Sequence, residues 1–256
     1  MKIFITFLRK EIIEQTRTKR LTILGLVFIF FGILNPLTAK LTPMILQMLS
    51  ESMDNSGITI TNMEITALDS WMQYFKNIPM LLIVFILMQS NIFSKEYQNQ
   101  TLILVVTKGF ERYKIVLSKL LVMILIWTLG YLLYFILTYV YTIYYWDNSI
   151  VSNLPFSVII WWVFGIFIIA LFMMFSVNFE TSGSALALTG GVVFLLYLIS
   201  LLPKINQYLP ITLSDGNSLI YGLKQVGFYL PSLIITILLI GSLVMGSILL
   251  FNKKSL

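Results

Sequence analysis

The chain has 256 residues, of which 58% are hydrophobic and only 11% charged, and its mean hydropathy is +0.91. Soluble domains are typically ~25% charged, so this composition excludes a soluble globular domain and indicates a polytopic membrane protein. The chain contains neither His nor Cys, which excludes disulfides, thiolate or imidazole metal sites and His-dependent catalytic triads. We therefore predict no catalytic residue and no metal site in it.

Six apolar stretches are long enough, or nearly so, to cross ~30 Å of hydrocarbon. Asn35-Pro36 is predicted to close the first stretch, while Pro79, Pro155 and Pro231 are predicted to lie near helix starts, where a missing N–H costs little. These features predict an all-α membrane protein with one domain over residues 1–256. The six predicted spans are Leu21–Ala39, Ile78–Phe93, Leu120–Trp146, Phe156–Phe179, Ser184–Leu202 and Leu230–Phe251.

The basic residues are divided unevenly between the two sides of these spans. If the N-terminus lies inside, 13 Lys and Arg residues lie inside and 4 lie outside. Because cytoplasmic loops carry the excess of basic residues, this predicts that both the N-terminus and the C-terminus lie inside. The net charge of +6 then reflects topology and contact with anionic lipids, and it gives no reason to propose a nucleic acid partner.

Residues 1–20 are predicted to form an amphipathic interface helix. Ile5, Leu8 and Ile12 recur at spacings of three and four, whereas the basic residues fall mostly elsewhere around the helix. Such a helix lies along the inner leaflet with its apolar face in the lipid. A simple lipid anchor and a helix that also contacts a cytosolic partner are equally compatible with this pattern.

The segment Ser94–Lys119 is too long for a turn and too apolar for a flexible linker. Thr101–Val106 is predicted to form a short helix or buried segment, and Gly109 can end it because glycine tolerates left-handed backbone geometry. A short apolar element held by charges suits a groove on another protein. The alternative is a cap folded onto its own subunit.

No Asp, Glu, Lys or Arg lies within any predicted span. Ionisable groups at membrane depth normally mark ion sites and proton relays, so their absence argues against a proton- or sodium-coupled secondary transporter. The spans offer hydroxyls and amides but no carboxylate pair, which argues equally against an intramembrane enzyme.

The third predicted span carries a row of aromatic and hydroxyl side chains at 3-4-3-4 spacing, which places all of them on one helix face. Rings with hydroxyl groups suit the apolar and polar sides of an amphipathic peptide, so this face is a candidate lining of a transport pathway. Helix packing with hydrogen-bonded hydroxyls is the favoured alternative. The five candidates are Tyr131, Tyr134, Thr138, Tyr141 and Tyr145.

The segment KEYQNQTLILVVTKGFERYKIVLSKLL resembles the cytoplasmic loop of ABC exporter permeases of the type-2 family. In that family a charged residue and a glutamate near the end of span two precede a Thr-Leu pair, a Thr-Lys pair and a basic run into span three. The family usually has glycine before the Thr-Leu pair, where this chain has Gln100. The matching residues are Lys95 and Glu96, Thr101 and Leu102, Thr107 and Lys108, and Arg112 with Lys114.

This resemblance implies a permease subunit in a bacterial plasma membrane that works with a separate ATPase subunit. The partner would bind ATP and Mg and hydrolyse the ATP, whereas this chain lacks a G-x-x-x-x-G-K-[ST] phosphate loop and would hold no cofactor. The functional unit would contain two permeases, either a homodimer or a pair of different chains, and two ATPases. The loop and the N-terminal helix would dock on the ATPase, a role that we carry onto Glu96, Thr101, Leu102, Lys108 and Arg112.

Two further features gain a role from the resemblance. Gly183, Ala187 and Gly191 recur at spacing four, and such small residues allow close helix approach in lipid. They are candidates for a dimer seam, and packing within their own bundle is an equal alternative. The segment 203–229 resembles the outer re-entrant helices that the family places before its last span.

The stretch from Asn35-Pro36 through ALDSWMQYFKN resembles permeases of staphylococcal exporters of phenol-soluble modulins. These substrates are short, amphipathic, membrane-active peptides, so the resemblance implies peptide export. An alternative function is an ATPase-independent membrane immunity or sensor protein for membrane-active peptides.

Overall fold

The computed structural model describes residues 2–52, 64–107 and 109–254, and within these ranges it is all-helical, with no β-strand. The long helices form one bundle, and short helices connect them at its two ends. In chain order the α-helices are α1 (Lys2–Arg17), α2 (Arg20–Ser52), α3 (Ala67–Gln89), α4 (Ser94–Gln98), α5 (Thr101–Thr107), α6 (Arg112–Tyr145), α7 (Leu154–Asn178), α8 (Ser182–Ser200), α9 (Pro203–Asn206), α10 (Gly216–Ile220) and α11 (Val226–Lys253), and two 3-10 helices cover Asn148–Ile150 and Pro210–Ser214.

Six helices in the described part of the chain, α2, α3, α6, α7, α8 and α11, are long and apolar enough to cross a membrane. This confirms the all-α fold and the number of spans predicted from hydropathy. The inside and outside assignment of the two ends stays a prediction. We therefore refer below to the α1 end of the bundle and to the opposite end.

Helix α2 continues through both Pro36 and Pro43, so the prediction that Asn35-Pro36 closes the first span is wrong. Proline at position 36 removes the N–H that would pair with the carbonyl of Gly32, four residues earlier. The hydroxyl of Thr138 on α6 donates to that carbonyl at 3.0 Å. A side chain from a neighbouring helix thus supplies the missing donor, which is how proline is tolerated within membrane helices.

Two other helix starts lie earlier than predicted. Helix α3 begins at Ala67, so Pro79 and the preceding aromatic residues lie within it rather than near its start. Pro231 also lies inside its helix, α11, whereas Pro155 is in the first turn of α7 as predicted. These helices extend beyond the apolar stretches because buried aromatic and polar side chains continue their packing faces.

Helix α6 begins at Arg112 rather than Leu120, so it includes Lys119. The predicted span Leu120–Trp146 itself contains no charged residue, so the prediction of uncharged spans stays a prediction, but the helix that includes most of it carries charged residues just before it. Lys119 is only 1% exposed, and its partners are described below. The predicted loop 94–119 is accordingly shorter than expected and consists of α4, α5 and the turn around Gly109.

Helix α7 lies at the centre of the bundle and packs against α6, α8, α11, α10 and the second 3-10 helix. Most of its apolar window is buried, 72%, against 11% for each of α8 and α11. Glycine makes the packing with α6 possible, because a Cβ at Gly165 would lie 2.4 Å from the Trp127 ring. The exposed faces of α8 and α11 are left for lipid or for another chain.

The segment 203–229 forms the short helices α9 and α10 and a 3-10 helix between them, and α11 begins inside it at Val226. Leu213, Leu219 and Ile220 are buried, and the segment packs against α7, α3 and α8. Short packed helices are thus present where the outer helices were predicted. Their re-entry into the membrane stays a prediction.

Candidate functional site

Three separate helices meet in a cluster of charged side chains at the α1 end. Glu11 on α1 and Glu96 on α4 each have a carboxylate oxygen 3.1 Å from the ammonium nitrogen of Lys119 on α6. The ammonium group of Lys10 lies 3.0 Å from the other oxygen of each carboxylate. We call these four residues the ion cluster, which joins α1, α4 and α6 through side chains far apart in sequence.

The ion cluster has two buried members and contains equal numbers of both charges. Glu11 is 3% exposed and Lys119 is 1% exposed, so each depends on the other to offset the cost of leaving water. Burial alone would raise the pKa of the Glu11 carboxyl, but the ammonium groups of Lys119 and Lys10 outweigh it and hold that pKa below its ordinary value. Glu11 is therefore ionised at neutral pH.

Lys10 lies at the edge of the ion cluster and also reaches Glu14, 3.7 Å away. Burial alone would lower the pKa of its ammonium group, but the carboxylates of Glu96 and Glu11 raise it above its ordinary value. Oxygens of Glu11, Glu14 and Glu96 lie within 4.8 Å of one another, a spacing that metal ligands also show. Here the two lysines already balance most of this negative charge.

A pair of amides extends the contact between α1 and the bundle. Gln15 on α1 donates to Gln89 at the end of α3 at 2.9 Å, and both side chains are buried. The face of α1 that packs on the protein is thus Phe7, Glu11 and Gln15. The predicted face of Ile5, Leu8 and Ile12 lies to one side of it, with Ile5 59% exposed and Ile12 36% exposed.

The structure separates the five predicted coupling residues into different environments. Glu96 belongs to the ion cluster, and Leu102 is 2% exposed, held in the bundle by apolar packing. Thr101 is exposed at the start of α5, while Lys108 lies outside the described residues. The guanidinium of Arg112 donates to the backbone carbonyls of Phe251 and Asn252 at 3.1 and 3.2 Å.

The turn between α4 and α5 has a left-handed residue at the position where the motif usually has glycine. Gln100, where glycine was expected, has φ of 53°, a left-handed conformation that glycine adopts most readily. Helix α5 confirms the predicted short helix, and Gly109 beyond it has φ of 81° with its N–H bonded to the carbonyl of Val106 at 2.9 Å. The segment is therefore an ordered pair of short helices.

A family model described as ABC-2 family transporter protein matches residues 5–205. The chain belongs to the ABC-2 transporter family. The match includes α2, α3, α6, α7 and α8, so the permease is a multi-pass bacterial membrane protein and a transport subunit rather than an enzyme. Family membership implies an ATPase partner subunit. The comparison with curated proteins finds no match.

Three of the five pathway candidates in the permease lie inside the helix packing. Tyr131 donates to the carbonyl of Val158 at 2.9 Å, Tyr134 to that of Tyr74 at 2.7 Å, and Thr138 to that of Gly32 at 3.0 Å. These bonds are those expected if the hydroxyl groups serve helix packing rather than line a pathway.

The other two pathway candidates are exposed, Tyr141 by 38% and Tyr145 by 39%. The buried face of α6 continues instead through Thr142, which shares a 2.7 Å hydrogen bond with Ser70. A pathway role for the five candidates stays a prediction.

The dimer-seam candidates Gly183, Ala187 and Gly191 lie on an exposed face of α8. A Cβ added at Gly183 or Gly191 would meet no atom within 4 Å, so within the part of the chain that the structure describes these glycines do not pack against the bundle. The neighbouring face of α8 borders an apolar cavity of about 540 Å³ between α3, α7 and α8. The cavity is lined by apolar and aromatic side chains that include Leu82, Ile86, Trp161, Phe164, Val193 and Tyr197.

Sequence reasoning missed most of the ion cluster. Of its four members, only Glu96 was proposed as a functional residue. A signal for Lys119 was present, because it is a lone charge within an otherwise apolar helical stretch. Glu11 gave a weaker signal, since it lies four residues from both Phe7 and Gln15 and so shares their face.

Proposed function

We propose that the permease exports amphipathic, membrane-active peptides, related to phenol-soluble modulins, with energy from ATP hydrolysed by a separate ATPase subunit. The ion cluster carries this proposal. It joins the interface helix α1 and the short helix α4 to α6, so that an ATPase contacting either short element would move a membrane-spanning helix. The ATP and Mg would be held by the partner, and this chain would contribute no catalytic group.

Two features support an apolar or amphipathic substrate. The cavity between α3, α7 and α8 has a volume typical of ligand sites and an almost wholly apolar lining. The exposed rings of Tyr141 and Tyr145 combine an apolar surface with a hydroxyl, which suits a peptide with two unlike faces. The choice of phenol-soluble-modulin-like peptides rests on the resemblance of the stretch from Asn35 to Asn77.

We further propose that two permeases meet through the small-residue face of α8. In lipid, helices associate most closely where small residues leave room for backbone contact. Gly183, Ala187 and Gly191 present such a face: all three are exposed, and a Cβ at either glycine would meet no atom of the described residues within 4 Å. The unit would be a homodimer or a pair with a second, different permease.

The test is purification of the tagged permease from its native membrane in gentle detergent, followed by ATPase assays with and without amphipathic peptide. We expect a stoichiometric ATPase subunit whose turnover rises with the amphipathic peptide but not with a scrambled, non-amphipathic peptide of equal composition. An ATPase indifferent to both peptides would contradict the substrate. Repeated recovery of intact permease without any ATPase would favour the immunity or sensor alternative.

A further inference from the structure

The end of α11 lies between the short helix α4 and the end of α7. Phe251 is fully buried, and its ring meets the ring of Phe93 edge-on with centroids 5.7 Å apart. Phe93 in turn stacks on Tyr97 at 6.1 Å and lies 5.4 Å from the ammonium group of Lys119. One aromatic contact therefore connects α11 to the helix that carries Glu96.

Arg112 ties the start of α6 to the end of α11. Its guanidinium donates to the backbone carbonyls of Phe251, Asn252 and Lys254. The last carbonyls of an α-helix have no partner within the helix, and a cation there also favours the negative end of the helix dipole. Arg112 thus replaces the missing backbone donors and fixes the end of α11 to α6.

Lys254 donates in a similar way to the last carbonyls of α7. Its ammonium group donates to the carbonyls of Val177 and Asn178 at 3.1 and 3.0 Å and lies 3.9 Å from the centre of the Tyr97 ring. The hydroxyl of Tyr97 donates to the same Val177 carbonyl at 2.8 Å. Lys254, the first residue after α11, therefore contacts both α4 and the end of α7.

We propose that residues 251–254 form a strut that transmits displacement of the short helices to α7 and α11, with Lys254 and Arg112 as positioning residues. This inference rests on the proposed function, since it assigns a route for the movement that the ATPase would impose. The support for this route is geometric. Phe251 and Lys254 join α4 to the ends of α11 and α7, and Arg112 joins the start of α6 to the end of α11. Helices joined by such short contacts move together, whereas residues 251–254 would transmit no movement if they were a solvated tail.

The first test removes the ammonium group of Lys254 and uses replacement of the neighbouring lysine as a control. Lys254→Ala is expected to preserve assembly with the ATPase and basal ATP hydrolysis, but to lower peptide export per ATP by about tenfold. Lys254→Arg, which still donates to the two carbonyls, is expected to restore most of the export. Lys253→Ala removes the same charge from the adjacent exposed residue and is expected to behave as the wild type.

The outcomes separate this inference from the proposed function. A wild-type complex that lacks an ATPase or ignores peptide would overturn the proposed function. An active wild type with a Lys254→Ala variant of equal export per ATP would overturn the strut alone. Loss of assembly in both Lys254→Ala and Lys254→Arg would also overturn it, because that result indicates a purely structural residue.

A distance measurement tests the strut without any substrate. The chain has no Cys, so the exposed residues Gln98 and Asn252 can be replaced by cysteine and spin-labelled in an otherwise native background. Pulsed electron paramagnetic resonance should give the same label distance in nucleotide-free and ATP-bound complexes, and a broader distribution after Lys254→Ala. A wild-type distance that shifts when nucleotide binds would refute the strut.

Discussion

The polar side chains around Pro36 show how single residues stabilise the interior of the permease. Asn77 on α3 donates to Asn35 at 2.8 Å, Asn35 donates to the hydroxyl of Thr138 at 2.9 Å, and Thr138 donates to the carbonyl of Gly32. This chain of bonds joins α3, α2 and α6 at the point where proline interrupts the backbone pairing of α2. A buried carbonyl without a donor is costly, so each member of the chain is needed.

Thr138→Val keeps the shape of the side chain and removes the two bonds of the Thr138 hydroxyl, to Asn35 and to the Gly32 carbonyl. We expect a loss of about 1–2 kcal/mol in the free energy of unfolding, because the Gly32 carbonyl and the Asn35 amide then lack partners. Thr236→Val is the matched control, since Thr236 is equally buried but its hydroxyl donates to the carbonyl of Ser232 in its own helix. Denaturant unfolding in detergent micelles measures both, and equal stabilities of the two variants would contradict this role of Thr138.

At the scale of helices, the ion cluster joins α1 to α4 and α6. A buried charge that loses its partner remains in a poorly solvated position, which costs far more than the loss of a surface pair. Helix α6 contains one lysine in a buried ion pair and one in a surface ion pair. Lys119 is buried with Glu11 and Glu96, whereas Lys114 pairs at the surface with Glu111 at 2.7 Å.

Lys119→Met should therefore destabilise the permease by about 3–5 kcal/mol, because the buried carboxylate of Glu11 and the partly buried carboxylate of Glu96 then share only Lys10. Lys114→Met should change the stability by less than about 1 kcal/mol. Protease digestion should also release α1 more readily from the Lys119→Met variant. Equal stability and equal protection of the two variants would show that the ion cluster does not hold α1.

The segment before α11 is held by a second charged contact, at the opposite end of the bundle. Asp215 accepts from Lys224 at 2.7 Å and from the hydroxyl of Ser218 at 2.8 Å, and the hydroxyl of Tyr229 on α11 donates to its backbone carbonyl at 3.0 Å. Burial alone would raise the pKa of Asp215, but the hydrogen bonds from Lys224 and Ser218 hold it below its ordinary value.

The lowered pKa of Asp215 predicts acid sensitivity. Because the folded state holds the proton less tightly than the unfolded state, the stabilisation is present above the ordinary pKa and is lost as pH falls through the lower folded value. Asp215→Asn should unfold at a lower temperature than the wild type at neutral pH. The difference should shrink as the pH falls below about 4. Thermal unfolding in micelles across this range tests it, and a difference independent of pH would contradict it.

At the scale of the whole molecule, the permease divides into a buried centre and an exposed periphery. Helix α7 is surrounded by other helices, whereas α8 and α11 expose most of their apolar surface. Exposed leucines suit lipid, but the small residues of α8 present little apolar area to it. That contrast is why we expect a second permease on α8 and lipid on α11.

Cysteine cross-linking distinguishes these two faces, because the natural chain has no Cys. Gly191→Cys should give a cross-linked dimer in membranes with a short bifunctional thiol reagent. Leu238→Cys on α11, which is 68% exposed, should remain monomeric under the same conditions. Strong cross-linking at Leu238 and none at Gly191 would place the contact on the wrong helix, and none at either position would exclude a homodimer through these faces.

Local properties of the chain were predictable from the sequence alone. The all-α fold, the six membrane-length helices, the short helix α5 and the family all follow from hydropathy, from backbone preferences at glycine and from one contiguous motif. Each of these depends on neighbouring residues, and each is present in the structure or supported by the family match. The candidate site was predictable only in part, since Glu96 was identified without its partners.

Tertiary structure decided the rest, because the partners lie far apart in the chain. Glu11 and Lys119 are separated by 108 residues, so their pairing could not be inferred from local periodicity. Helix α2 continues through Pro36 because Thr138, on another helix, donates to the free carbonyl. Sequence by itself determined which segments become helices, whereas the pairing of polar groups between helices decided where they end, which faces they bury and which charges they hold.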